Sequence, residues 1–145
     1  NWENWPEKIK CPVILTPHKG EYERLFGQFD SQRQRIESMR QHSMRYGHVI
    51  LLKGADTVIS SPNGSVYYSN TGNSGMATAG AGDVLTGILS GLLAQGYNTV
   101  EAAILGSQIH GIAGNIAASN LGKRSLIASD LVKYIGLAIQ SIDNQ

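Results

Sequence analysis

The sequence predicts an α/β layer fold. Three observations carry the prediction. "HVILLKG" (48–54) is a continuous apolar run of strand length, the pattern of a strand covered on both faces. "CPVILTPHKGE" (11–21) holds another short apolar strand, stopped by Pro17. Beyond residue 83 the pattern turns helical, with Val84, Leu85, Ile88, Leu89, Leu92 and Leu93 on one wide apolar stripe.

Taken in order, Val13 to Thr16 reads as the first strand, and a helix is expected to start near Glu21. "DSQRQRIESMRQHSMRYG" has Asp30 or Ser31 as N-cap and Gly47 as stop signal. Its apolar residues Ile36, Met39 and Met44 are sparse, which predicts a surface helix. Thr57 to Ser60 and Ser65 to Ser69 flank "SPNG", a hairpin signal. A Gly-rich loop covers 70–82. A second late helix is expected from about Val100 to Ala118, and a third from Ser129 to about Ile142, with Ser129 or Asp130 near its cap.

A chain of 145 residues is one ordinary domain by length and can bury a core. With 41% hydrophobic and 16% charged residues it is globular, not disordered. A net charge of +1 suggests neither a nucleic-acid surface nor a membrane-binding patch. The single Cys11 excludes an intrachain disulfide framework and a multi-Cys zinc site, and fits a reducing cytoplasm. No apolar run is long enough to span a bilayer. "NWENWPEKIKCP" lacks the shape of a signal peptide and begins without Met, so the chain reads as a fragment. Its few strands leave helix faces uncovered, again as in part of a larger domain. An open sheet edge tends to pair with another chain, so a homo-oligomer is expected.

"MATAGAGDVLTGILSGLLAQG" (76–96) carries the chemistry. A helix N-terminus presents unsatisfied amides and the positive end of the peptide dipole. "AGAGD" lets an anion approach those amides without side-chain obstruction. Asp83 follows in the first turn, where a carboxylate suits a general base for a hydroxyl attacking a phosphate. Asp is also a favoured N-cap, so from local chemistry alone the two roles stand level. No GK[ST] follows, so this is not a Walker loop.

"LTPHKGEYERL", "LLKGADTVI" and "NTGNSGMATAGAGDVLTG" together resemble the ribokinase-like superfamily and, within it, the ADP- or ATP-dependent NAD(P)H-hydrate dehydratase family. The resemblance runs from about Val13 to the third late helix, nearly the whole chain. "HGIAGNIAA" also fits, with Asn115 where the family often has Asp. The resemblance implies a three-layer fold, a mostly parallel sheet with helices on both faces. It also implies that residues 1–145 are the C-terminal portion of one such domain, because the family's early Gly-rich loop has no counterpart here. The implied reaction is nucleotide-dependent dehydration of hydrated NADH or NADPH, with ADP or ATP as phosphoryl donor and Mg²⁺ on the phosphates. Asp83 would be the catalytic base and touch the substrate. Ala81 and Gly82, with Asp83, would offer amides to the transferred phosphoryl group. Lys53, Gly54, Ala55, Asp56 and Thr57 would bind nucleotide, and His18 the substrate. No residue set is assigned as a protein-held metal site.

Taken alone, Lys53 reads equally as a solvated lysine, His18 as a turn residue bonded to the backbone, and Glu21 as a first-turn carboxylate. His110 reads as core or partly buried, His42 and His48 as surface or strand-edge residues. Trp2 and Trp5 read as anchors for the missing early half; with so few basic neighbours, nucleic-acid binding is rejected. Two rival functions stay open: another ribokinase-like kinase acting on a vitamin precursor, or a non-catalytic interaction module, since the chain by itself is expected to be inactive.

Overall fold

The computed structural model describes residues 5–144. Trp2 therefore lies outside the described residues. The chain divides into two compact units, Asn1–Tyr68 and Ser69–Gln145.

The first unit holds α1 (Trp5–Lys8), β1 (Ile14–Leu15), α2 (Lys19–Phe26), α3 (Gln32–Tyr46), β2 (Val49–Leu52) and β3 (Thr57–Ser60), with β4 (Val66–Ser69) at its end. The sheet order is β1-β2-β3-β4. β1 pairs parallel with β2, Ile14 opposite Val49. β3 returns antiparallel beside β2, Leu51 opposite Ile59. The parallel character expected of the sheet thus sits in β1 and β2. The "SPNG" turn closes where the Ser61 amide donates to the Ser65 carbonyl at 3.0 Å.

Every residue of β2 is buried, as its unbroken apolar run requires. Ile50 and Leu52 join Tyr22, Met39 and Val58 in one core cluster, with Phe26 and Ile36 packed against it. β1 is shorter than expected because only Ile14 and Leu15 pair before Pro17. α3 starts at the Ser31 cap and ends at Gly47 in the left-handed region, both as read. It is less superficial than its composition suggested. Met39 is fully buried, together with Arg35 and Ser43, whereas Met44 faces solvent. The Ser43 hydroxyl meets the Ser60 hydroxyl at 2.6 Å, which lets a polar helix bury one face against β3.

Two histidines depart from the sequence reading. His48 is buried, and its Nε2–H donates to the Pro6 carbonyl at 3.2 Å. His42 is half-buried, 4.1 Å from the Phe26 ring centroid and stacked on Tyr46. A histidine one residue before a buried strand is carried inward by the strand. Polarity alone does not show that. Trp5 lies 6.4 Å from the Phe26 ring.

The second unit is helical: a 3₁₀ turn (Ser74–Met76), α4 (Ala81–Ala94), α5 (Thr99–Leu121) and α6 (Ala128–Asp143). Of the α4 stripe, Leu85, Leu89 and Leu92 are buried, while Leu93 is exposed. α5 packs against both other helices. Gly106 admits Leu89 of α4, since a Cβ there would lie 2.6 Å from the Leu89 side chain. α6 begins at Ala128, one residue before the expected start. Asp130 accepts from the Ile127 amide at 3.3 Å, so it holds the first turn from inside the helix. Among the described residues, no helix is long and apolar enough to cross a membrane.

Candidate active site

In the first unit the side chains of "TPHKGE" and "LLKG" meet. The parallel β1–β2 pairing continues as a bridge between His18 and Lys53, and the Lys53 amide donates to the Pro17 carbonyl at 2.9 Å. His18 caps α2: its Nδ1 accepts from the Glu21 amide at 3.1 Å. In return the His18 amide donates to Glu21 Oε2 at 2.6 Å, closing a reciprocal capping box. With Nδ1 accepting, the neutral ring carries its proton on Nε2, which lies 3.4 Å from Glu21 Oε1. Lys53 Nζ is 3.6 Å from Glu21 Oε2. The hydrogen bond from the His18 amide is the largest influence on the Glu21 carboxyl; burial opposes it, and the Lys53 charge adds to it, so that the group is held below the usual carboxylate range.

Sequence reasoning gave Glu21 no site role, yet it is the hinge of this group. The signal was present as the three-residue spacing of His18 and Glu21 before an apolar run. His capping is less familiar than Ser or Thr capping, which hid the motif. Lys53 is neither free nor sequestered, with its side chain 31% exposed. Gly54, Ala55 and Asp56 form an exposed bend between β2 and β3, and Thr57 opens β3.

In the second unit the Gly-rich stretch forms the entrance to α4. Gly80 takes φ 86°, a left-handed conformation that favours glycine, and its N-cap position makes no side-chain cap. Asp83 stands at the third helical position and is exposed. Its carboxylate has no hydrogen bond or ion pair among the described residues. The capping role open to it in the sequence is therefore not the one it takes.

The three amides expected to face an anion are not equal. The Ala81 amide donates to the Thr78 carbonyl at 3.3 Å and the Asp83 amide to Gly80 at 3.0 Å. Gly82 alone of the three has no acceptor among the described residues. The loop before α4 is tied to α5. Asn73 Nδ2 donates to the Gly114 carbonyl at 2.9 Å and to Asn115 Oδ1 at 3.0 Å. Asn115 thus supplies an acceptor oxygen where the resembled family often has a carboxylate. His110 is partly buried, as read, and its Nε2–H donates to the Ala81 carbonyl at 3.0 Å.

A family profile described as NAD(P)H-hydrate dehydratase matches residues 3–137. The chain belongs to that family. One curated relative is the bifunctional NAD(P)H-hydrate repair enzyme Nnr of Moorella thermoacetica, 45% identical over 136 residues, which are 92% of this chain and 26% of that protein. The solved ADP/ATP-dependent NAD(P)H-hydrate dehydratase of Bacillus subtilis, co-crystallised with ATP and Mg²⁺, superposes with a TM-score of 0.83 at 32% identity, over 90% of this chain and 48% of that one. A ribokinase-like superfamily protein of Enterococcus faecalis superposes with a TM-score of 0.68 at 26% identity, over 92% of this chain and 50% of that one. The fold is accordingly ribokinase-like. The chain spans about a quarter of the Moorella relative and about half of the solved dehydratase.

Proposed function

We propose that the complete protein dehydrates hydrated NADH or NADPH, with ADP or ATP as phosphoryl donor. One observation carries the reading: among the described residues, α4 opens with no side-chain cap, a Gly82 amide without an acceptor and an Asp83 carboxylate without a partner. Asp83 takes the proton of the substrate's ring hydroxyl as that oxygen bonds to the donor's terminal phosphorus and the bond to the shortened nucleotide breaks. The Gly82 amide, assisted by the dipole of α4, stabilises the charge on the transferred group, with Ala81 and Asp83 amides beside it. Phosphate then leaves with the C–O bond electrons, pushed by the ring nitrogen, and loss of a neighbouring ring proton restores the dihydronicotinamide.

Lys53 to Thr57 take the nucleotide side and His18 the substrate side. Mg²⁺ fits the chemistry of the donor's phosphates. Among the described residues no group of three or more His, Cys, Asp or Glu could hold a metal ion. Mg²⁺ asks for less, since it keeps several waters and is held largely by substrate phosphates, which leaves the Asp83 carboxylate free to act as the base. When bound, it supplies charge neutralisation on the phosphates.

The same reading makes residues 1–145 the C-terminal portion of one domain, cytoplasmic and assembled from several copies. The free edge of β1 and the exposed Cys11 are in keeping with it. The test is conversion of hydrated NADH with ADP or ATP and Mg²⁺, measured for the complete protein and for residues 1–145 alone. The expected result is turnover by the complete protein and at least about 10²-fold less by the shorter chain, because catalysis is lost when reacting groups are misplaced by about 1 Å. Accumulation of a stable phosphorylated product would instead assign a kinase, and absence of conversion by the complete protein would overturn the proposal.

A further inference from the structure

We infer that His110 is a positioning residue for the anion-binding turn, acting through the peptide unit that joins Ala81 to Gly82; this rests on the nucleotide role proposed for that turn. The Ala81 carbonyl and the Gly82 N–H belong to one planar peptide unit and point in opposite directions. His110 Nε2–H grips the carbonyl end at 3.0 Å from α5, across 29 residues of sequence. The opposite end of the same plane is the Gly82 N–H, alone among the amides of Ala81, Gly82 and Asp83 in having no partner among the described residues. Fixing the carbonyl therefore aims the free amide. A hydrogen bond accepted by a peptide carbonyl also polarises the peptide and makes its N–H a better donor.

The neighbours of His110 extend the same device. A Cβ on Gly111 would lie 2.6 Å from the Thr71 Cβ, and one on Gly114 would lie 2.7 Å from the Met76 Cγ. Asn115 receives Asn73. The stretch His110–Asn115 is thus a template on which the loop from Thr71 to Ala81 is laid, and His110 is its contact nearest Asp83. Burial keeps the His110 ring below the ordinary imidazole range, partly offset by its bond to Ala81. Near pH 7 the ring is neutral, with its one N–H committed to Ala81.

The test compares His110→Leu, which removes the donor but keeps apolar bulk, with His110→Gln, whose amide restores an N–H at similar reach. Both are made in the complete protein. Two readouts are taken: the ¹⁵N–¹H signal of Gly82 without ligand, and the affinity for ADP with Mg²⁺. His110→Leu is expected to move the Gly82 signal and weaken ADP binding about tenfold, the usual scale for one lost hydrogen bond. His110→Gln is expected to return both towards the wild type. A Gly82 signal unmoved by His110→Leu, or ADP affinity unchanged while the signal moves, overturns the inference. If His110→Leu does not fold, His110→Gln decides: near wild-type values in both readouts support positioning, and loss in both overturns it. Movement of Gly82 in a protein whose wild type binds no ADP supports the geometric link and refutes the nucleotide role instead.

Discussion

Beyond the short α1, four helices of this chain place a carboxylate at the third helical position. Of these, among the described residues, only Asp83 of α4 does not fold it back on its own first turn; Glu21 of α2 makes the contrast. Glu21 is the third helical residue of α2 and Asp83 the third of α4. Glu21 folds back to accept from the His18 amide, forms an ion pair with Lys53 at 3.6 Å, and completes a capping box. Asp83 reaches no partner among the described residues, and the position before its helix is a glycine with no side chain to offer. A helix N-terminus is stabilised by almost any nearby acceptor. One left without a side-chain cap is held open by something else, here the ties from α5 to the preceding loop. The difference separates a carboxylate that serves folding from one available to a ligand.

The comparison breaks most decisively with the same change at both sites, acid to amide. Asp83→Asn keeps shape and removes the ability to accept a proton. In the complete protein, turnover of hydrated NADH is expected to fall by about 10²-fold or more. ADP affinity should change little and thermal stability should hold, because no contact among the described residues is lost. Turnover retained by Asp83→Asn would place Asp83 with Glu21, as a charge at a helix end.

Much of this contrast was legible in the sequence. "AGAGD" before an apolar stripe gave the bare helix entrance, and "HVILLKG" gave the buried strand, because both depend on local pattern. What escaped was long-range. The ring of His48 goes inward because β2 carries it there, and Met39 is core while Met44 is solvent, although both lie in one polar helix. The tie from His110 to Ala81 spans 29 residues, and no local pattern announces it. Glu21 was local and still missed, since His18 is an unusual cap. The activity itself is legible only through the resemblance and the family match; local chemistry left Asp83 level between base and cap.

A second change sharpens the comparison from the side of the support. α2 is held by its own first turn, whereas the entrance to α4 depends on α5. Gly114→Ala places a Cβ 2.7 Å from the Met76 Cγ, so Met76 and the 3₁₀ turn must shift. Overpacking of this kind costs about 1–3 kcal/mol, and the flexible Met side chain puts the expectation near the lower end. Thermal unfolding should show that loss, and ADP binding should weaken with it. A drop in stability with ADP affinity intact would mean that the loop's register does not govern the anion site.

The smallest effect belongs to Glu21→Gln. The amide keeps an acceptor for the His18 N–H and loses only the charge that faces Lys53 and the dipole of α2. Glu21 is 44% exposed, so solvent screens that charge, and a loss of only a few tenths of a kcal/mol is expected. Its pH dependence is the discriminating feature. The folded-state pKa lies below the ordinary value of 4.5, so the carboxylate's contribution is fully present above that value. As pH falls through the lowered value the proton binds in the folded state too, and the contribution disappears. Wild type and Glu21→Gln should therefore differ near pH 7 and converge in acid, with added salt narrowing the gap at neutral pH. A stability difference independent of pH would mean that Glu21 acts by shape rather than charge, and the likeness between the two helix ends would then stop at their shared position.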